Sequence, residues 1–155
     1  MKLYKAGIED IQELVQLRID FLEMMEKGSM SEKDKSSVRR QTEDYFKKHI
    51  PLNDVIVFIV KENQEIASAA FLLIHEQPAN LSFITGVKGT LINVITYPPY
   101  RRQGLATMVI KQIIQEAAGL GVSSIDLMAT EAGFEVYKKL GFEKIKHIAM
   151  RLKLV

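Results

Sequence analysis

A single α/β domain, with a mixed sheet and helices packed on it, is the fold this sequence predicts, and three observations carry the prediction. The run Val55–Val60 is β-branched and nearly continuous, the pattern of a strand covered on both faces. A strand pattern at Thr90–Thr96 is followed, beyond Pro98-Pro99, by Leu105, Val109, Ile113 and Ala117 on one helical row. A further strand pattern at Ser123–Ala129 completes a strand–helix–strand unit, which requires a right-handed crossover between parallel strands.

The remaining elements follow in order. Lys2–Ala6 is a short strand. Glu9 and Asp10 suit a first helical turn, and Ile11, Leu14, Val15, Arg18, Leu22 and Met25 recur at helical spacing. A second helix is expected from Ser31, its N-cap, to about His49, with Pro51 closing it. Its apolar stripe is thin (Val38, Tyr45, Phe46), which places it on the surface. Asp54–Glu62 and Glu65–His75 form a hairpin across Asn63-Gln64. Gln77–Gly89 reads as a loop or a poor strand. Thr130 caps a helix over Glu131–Leu140, and Gly141 suits its left-handed end. His147–Leu154 alternates apolar and polar residues, the pattern of a half-buried strand. The order is β-α-α-β-β-β-α-β-α-β, one domain over residues 1–155.

Composition narrows the function. With 155 residues, 47% hydrophobic and 26% charged, the chain has the balance of a soluble globule. A net charge of +2 argues against a nucleic-acid partner, even with Arg101, Arg102 and Lys111 close together. The absence of cysteine excludes disulfides and a thiolate nucleophile, and fits a cytoplasmic location. No apolar run reaches membrane-spanning length, so no membrane partner is expected. His49, His75 and His147 lack ligand spacing, so no metal is expected.

The junction Arg101-Arg102-Gln103-Gly104-Leu105-Ala106-Thr107 opens the amphipathic helix directly after the strand and its Pro-Pro stop. A helix start offers unpaired N–H groups and partial positive charge to an anion. Gly104 lets a phosphate approach the backbone, Ala106 keeps the next turn slim, and two guanidinium groups stand beside them. The loop is neither a dinucleotide fingerprint nor a P-loop, since it has one glycine and no Gly-Lys-Ser/Thr.

Tyr137-Lys138-Lys139-Leu140-Gly141-Phe142 lies one strand and one turn later. With both motifs in view, the chain resembles the GCN5-related N-acetyltransferase (GNAT) superfamily. Asn93–Ala106 is similar to its acetyl-CoA motif and Thr130–Phe142 to its second motif, while the first half of the chain matches in outline. The resemblance implies a central mixed sheet that splays between two parallel strands, here Thr90–Thr96 and Ser123–Ala129, with the thioester in the gap. It implies that backbone N–H groups of Arg102, Gln103, Gly104, Leu105, Ala106 and Thr107 hold the pyrophosphate, with Arg101 beside them. Backbone groups of Val94, Ile95 and Thr96 would pair with the pantetheine arm, and one N–H near Val94 or Ile95 would polarise the acetyl carbonyl. Tyr137 would protonate the departing thiolate.

The implied function is acetyl transfer from acetyl-CoA to a primary amine, on a small molecule or a peptide, by direct attack; the alternative is a non-catalytic acetyl-CoA-binding or sensor module of the same fold. The strand Thr90–Thr96 departs from members with a central glutamate, since Asn93 is its most polar residue. Asn93 either orients substrate or water or satisfies a neighbour. Glu131, Asp126 and His75 are bases by residue type only, and a solvated or capping role suits each better. Family position also makes Met24, Met25, Met30, Tyr45 and Phe46 candidate linings of an acceptor pocket, although methionines at helical spacing are more often core. A homodimer through His147–Leu154 is compatible with the alternation.

Overall fold

A computed structural model describes residues 1–155. The elements are β1 (Lys2–Lys5), α1 (Ile11–Glu26), α2 (Glu32–Leu52), β2 (Val55–Glu62), β3 (Glu65–Glu76), β4 (Val87–Thr96), α3 (Leu105–Gly119), β5 (Ser124–Leu127) and α4 (Glu131–Lys139), with short 3-10 turns at Ile8–Asp10 and Pro98–Tyr100. The five strands lie in one sheet in sequence order, antiparallel except for the parallel pair β4–β5 joined through α3.

The sheet separates two apolar cores, and β2 explains why its sequence is continuously apolar. Val55, Val57 and Ile59 join Leu14, Leu17 and Phe46 under α1 and α2. Ile56, Phe58 and Val60 point the other way, toward Val109, Ile110 and Ile113 of α3. Leu105, Val109, Ile110, Ile113 and Ala117 form the buried face of α3. Burying each large side chain contributes roughly 1.5–3 kcal/mol before the entropy of ordering it is counted.

Capping agrees with the sequence. Asp34 N donates to Ser31 Oγ at 3.0 Å and Gly133 N to Thr130 Oγ1 at 3.2 Å. Only Thr42 and Phe46 of α2 are buried, as its thin stripe predicts.

Three expectations need correction. The second helix runs through Pro51 to Leu52 and ends at left-handed Asn53; the residue before a proline is disfavoured in the helix, yet one last turn tolerates the missing N–H. β4 begins at Val87, inside the expected loop, because Glu76, His75 and Ile74 pair with Val87, Lys88 and Gly89. Gly89 suits that strand: a Cβ there would stand 2.8 Å from Leu72 Cδ1 and 3.3 Å from Ile125 Cγ1. The expected strand His147–Leu154 does not form, and Ile148, Met150, Leu152 and Leu154 are exposed. Alternation selects a face but does not by itself make a strand pair, and β5 remains the edge of the sheet, paired with β4 alone. No helix is long and apolar enough to cross a membrane.

Candidate active site

The parallel pair β4–β5 opens partway along. Pairing runs from Lys88↔Ser124 to Leu91↔Leu127 and stops, so Ile92–Thr96 present an edge toward β5 that no strand covers. On its other edge β4 carries an extra residue. Ala69↔Ile95 and Phe71↔Ile92 leave Asn93 and Val94 in a bulge, with Asn93 left-handed at φ 56°. The bulge turns Ile92 and Ile95 toward α1 and α2, whereas Val94 packs on the α3 side. Val94, Ile95 and Thr96 thus stand where the sheet parts. Ser68 Oγ, 2.9 Å from Ile95 O and 2.9 Å from Thr96 Oγ1, fixes the strand from β3.

The loop after β4 leads to the N-terminus of α3. Arg102 and Gly104 are both left-handed, at φ 62° and φ 74°, and Arg101–Gly104 are exposed. The N–H groups of Arg102, Gln103, Gly104, Leu105, Ala106 and Thr107 have no hydrogen-bond partner in the chain; the first intrahelical bond is Met108 N to Gly104 O at 3.0 Å. A Cβ on Gly104 would meet nothing within 4 Å, so the space above it is open to a ligand. A row of free N–H groups at a helix start, reached across a glycine, fits a pyrophosphate. The two arginines differ: Arg101 Nε donates to Thr96 O at 3.0 Å, folding back on the strand, whereas Arg102 makes no hydrogen bond or ion pair.

Tyr137 projects from α4 into a cavity of about 410 Å³ that also borders Leu127, Met128, Ala129 and Phe142. The cavity therefore reaches the end of the β4–β5 pairing. The Tyr137 ring lies edge-on to Phe142 at 5.9 Å, and its hydroxyl has no partner in the chain. Burial raises its pKa, which holds the phenol protonated through neutral pH.

Asn93 is 1% exposed, and both polar atoms of its side-chain amide are hydrogen-bonded. Its Nδ2 donates to Leu17 O at 3.3 Å, and its Oδ1 accepts from Arg18 Nη1 at 3.3 Å. It thereby ties β4 to α1. Nearby, Tyr97 Oη donates to Asp20 Oδ2 at 2.5 Å, and burial together with that carboxylate raises the Tyr97 pKa. The carboxylates singled out by type lie elsewhere: Asp126 pairs with Lys88 at 2.5 Å, and Glu131 is exposed in the first turn of α4. His75 is exposed at the far end of β3.

On the α1–α2 face of the bulge lies a second cavity of about 190 Å³, lined by Arg18, Gln41, Thr42, Tyr45, Phe46, Phe71, Leu73 and Ile92. Tyr45 and Phe46 line it; Met24 and Met25 are exposed instead. In the sequence Arg18 stands only as a member of the apolar row of α1, and a cation on that row is the available signal.

The model of the acetyltransferase (GNAT) family matches residues 16–142 of the chain. No curated protein matches the chain in sequence. Among solved structures, a predicted acetyltransferase with acetyl-CoA from Clostridium acetobutylicum is 28% identical, with a TM-score of 0.85 over 99% of this chain and 96% of that one. A GCN5-related N-acetyltransferase from Ralstonia eutropha JMP134 is 16% identical, with a TM-score of 0.81 over 97% of each chain. The glucosamine-6-phosphate N-acetyltransferase of Arabidopsis thaliana is 16% identical, with a TM-score of 0.68 over 99% and 98%; at such identities the likeness is one of fold.

Proposed function

The chain belongs to the acetyltransferase (GNAT) family, and on that footing we propose that it moves the acetyl group of acetyl-CoA to a primary amine by direct attack. One observation carries the reading: the free N–H row at Arg102–Thr107 stands at the end of the same strand whose β5-facing edge is uncovered. Phosphates and an extended arm are what such a pair of features accommodates. The likeness to the Clostridium structure, described with acetyl-CoA, supports the choice of donor.

Bound acetyl-CoA supplies an acetyl thioester. The Arg102–Thr107 N–H groups hold its pyrophosphate, and Val94–Thr96 hold the arm as an added strand would be held. A backbone N–H of the bulge, at Val94 or Ile95, stabilises the charge that develops on the carbonyl oxygen as the neutral amine nitrogen attacks the carbonyl carbon. The C–S bond then breaks, and Tyr137 gives its proton to the leaving sulfur. The amine proton leaves to water, since the central strand holds no carboxylate. The exposed apolar side chains of Ile148, Met150, Leu152 and Leu154 favour a homodimer in which this segment is covered by a second copy.

The test is thiol release from acetyl-CoA in a library of primary amines. Release that depends on an amine, with the acetylated amine found by mass spectrometry, supports the reading. Acetyl-CoA bound without turnover of any amine points to the sensor alternative, and no binding of acetyl-CoA removes both.

A further inference from the structure

Arg18 is a half-buried cation that the fold does not neutralise. It stands on α1 between buried Leu17 and Ile19. It has no carboxylate within ion-pair reach, and its hydrogen bond in the chain, from Nη1 to Asn93 Oδ1, uses one edge of the guanidinium. Burial lowers its pKa, and no neighbouring acid acts the other way. Holding an unpaired charge in such a place costs free energy, and deleting the charge would relieve it. The packing around it is apolar or neutral: Phe46, Phe71, Leu73 and Ile92 form walls, while Gln41 and Thr42 add uncharged polar groups.

The position matters as much as the charge. Asn93, which holds the guanidinium, is the bulge residue of β4, and Ile92 beside it lines the same cavity. The cavity therefore opens against the α1–α2 face of the strand whose other side meets α3. At about 190 Å³ it is smaller than the roughly 300–1,000 Å³ of whole small-molecule sites, so it suits one head group of a substrate and not an entire sugar or peptide.

We propose that Arg18 recognises the acceptor: it pairs with a carboxylate or phosphate group carried by a small amine, seating that anion in the Arg18–Gln41–Thr42 cavity and setting the amine against the β4 bulge. This rests on the acetyl-transfer reading and names its substrate class, a small anionic primary amine. The planar fork binds such oxyanions through paired N–H groups, which a lysine cannot reproduce.

The experiment compares matched amines as acceptors: β-alanine against its amide, and phosphoethanolamine against ethanolamine. The wild type is expected to favour the anionic member of at least one pair by about 10–100-fold in kcat/KM, the worth of one charge-assisted hydrogen bond. Whichever pair shows the preference identifies carboxylate or phosphate. Arg18→Gln retains a donor for Asn93 and should erase the preference mainly through KM, and Arg18→Lys should restore part of it. A preference that survives Arg18→Gln overturns the proposal, as does a wild type that prefers neither anion. Circular dichroism and acetyl-CoA affinity, both expected to be unchanged in Arg18→Gln, separate a fold defect from a recognition defect. If acetyl-CoA is not bound at all, the donor assignment fails by itself. Calorimetry with the same four amines then decides: anion binding lost in Arg18→Gln sustains the inference, and no anion binding refutes it.

Discussion

Replacing Gly104 by alanine separates two consequences of one backbone position. Gly104 is left-handed at φ 74°, and a Cβ there meets nothing within 4 Å. The fold should therefore lose only the conformational cost of an L-residue in that region, about 1–2 kcal/mol, or a melting shift of roughly 2–8 °C for a domain of this size. Gly121 offers a matched control, because it is left-handed at φ 78°, equally open, and beyond the opposite end of α3. The two alanine variants should melt alike. They should differ in acetyl-CoA binding, since only the Gly104 Cβ enters the space before the free N–H row. A hydrogen bond from that row to a phosphate oxygen is worth about 1.5–3 kcal/mol, so Gly104→Ala, which breaks at least one, should bind at least about tenfold more weakly. Gly104→Glu adds like charge and should abolish binding, while Gly121→Ala keeps the wild-type affinity. Calorimetry measures all three. Equal affinity in Gly104→Ala and Gly121→Ala would refute the phosphate role of the loop.

Other perturbations have defined outcomes. Tyr137→Phe should lower kcat by roughly 10²–10⁴-fold with acetyl-CoA affinity unchanged. Because the acid must be protonated and burial raises its pKa, the activity attributable to Tyr137 persists to above pH 10 and is lost only at higher pH; a pH–rate profile with an alkaline limb below pH 10 that Tyr137→Phe removes would contradict this. Asn93→Gly tolerates φ 56° but loses both amide hydrogen bonds, so chemical denaturation should show a loss of about 1–3 kcal/mol. Combined with Arg18→Ala, which removes the donor of the shared hydrogen bond, its effect should be less than additive. Ile110→Ala empties a fully buried position on the inner face of α3 and should cost about 2–5 kcal/mol in urea unfolding. Ile148→Lys with Met150→Lys should convert a dimer to a monomer by light scattering; a wild type that is already monomeric removes the dimer reading.

What the sequence made legible was set by local rules. β2 and α3 follow from periodicity, the Ser31 and Thr130 caps from side-chain chemistry, and the Arg101–Thr107 junction from the strand before it and the helix after it. The Asn93 bulge was not legible, since a bulge is a relation between two strands: it exists because β4 spends one more residue than β3 between Ile92 and Ile95. The Arg18 cavity needed α1, α2 and the sheet assembled before a cation on an apolar row could be seen to lack a partner. The Val87 start of β4 needed the close approach of Leu72 and Ile125 to explain Gly89 inside a strand. His147–Leu154 shows the opposite case, a strong local pattern that forms no strand although the outer edge of β5 is unpaired.

The central claim is that the N–H row of the loop and the uncovered edge of β4 together hold acetyl-CoA. Backbone hydrogen exchange with and without acetyl-CoA tests it most directly. The account predicts slowed exchange at Arg102–Thr107 and within Val94–Thr96, with the α1–α2 face little changed. Acetyl-CoA that binds while leaving those amides unprotected, or that protects a different surface, would contradict it.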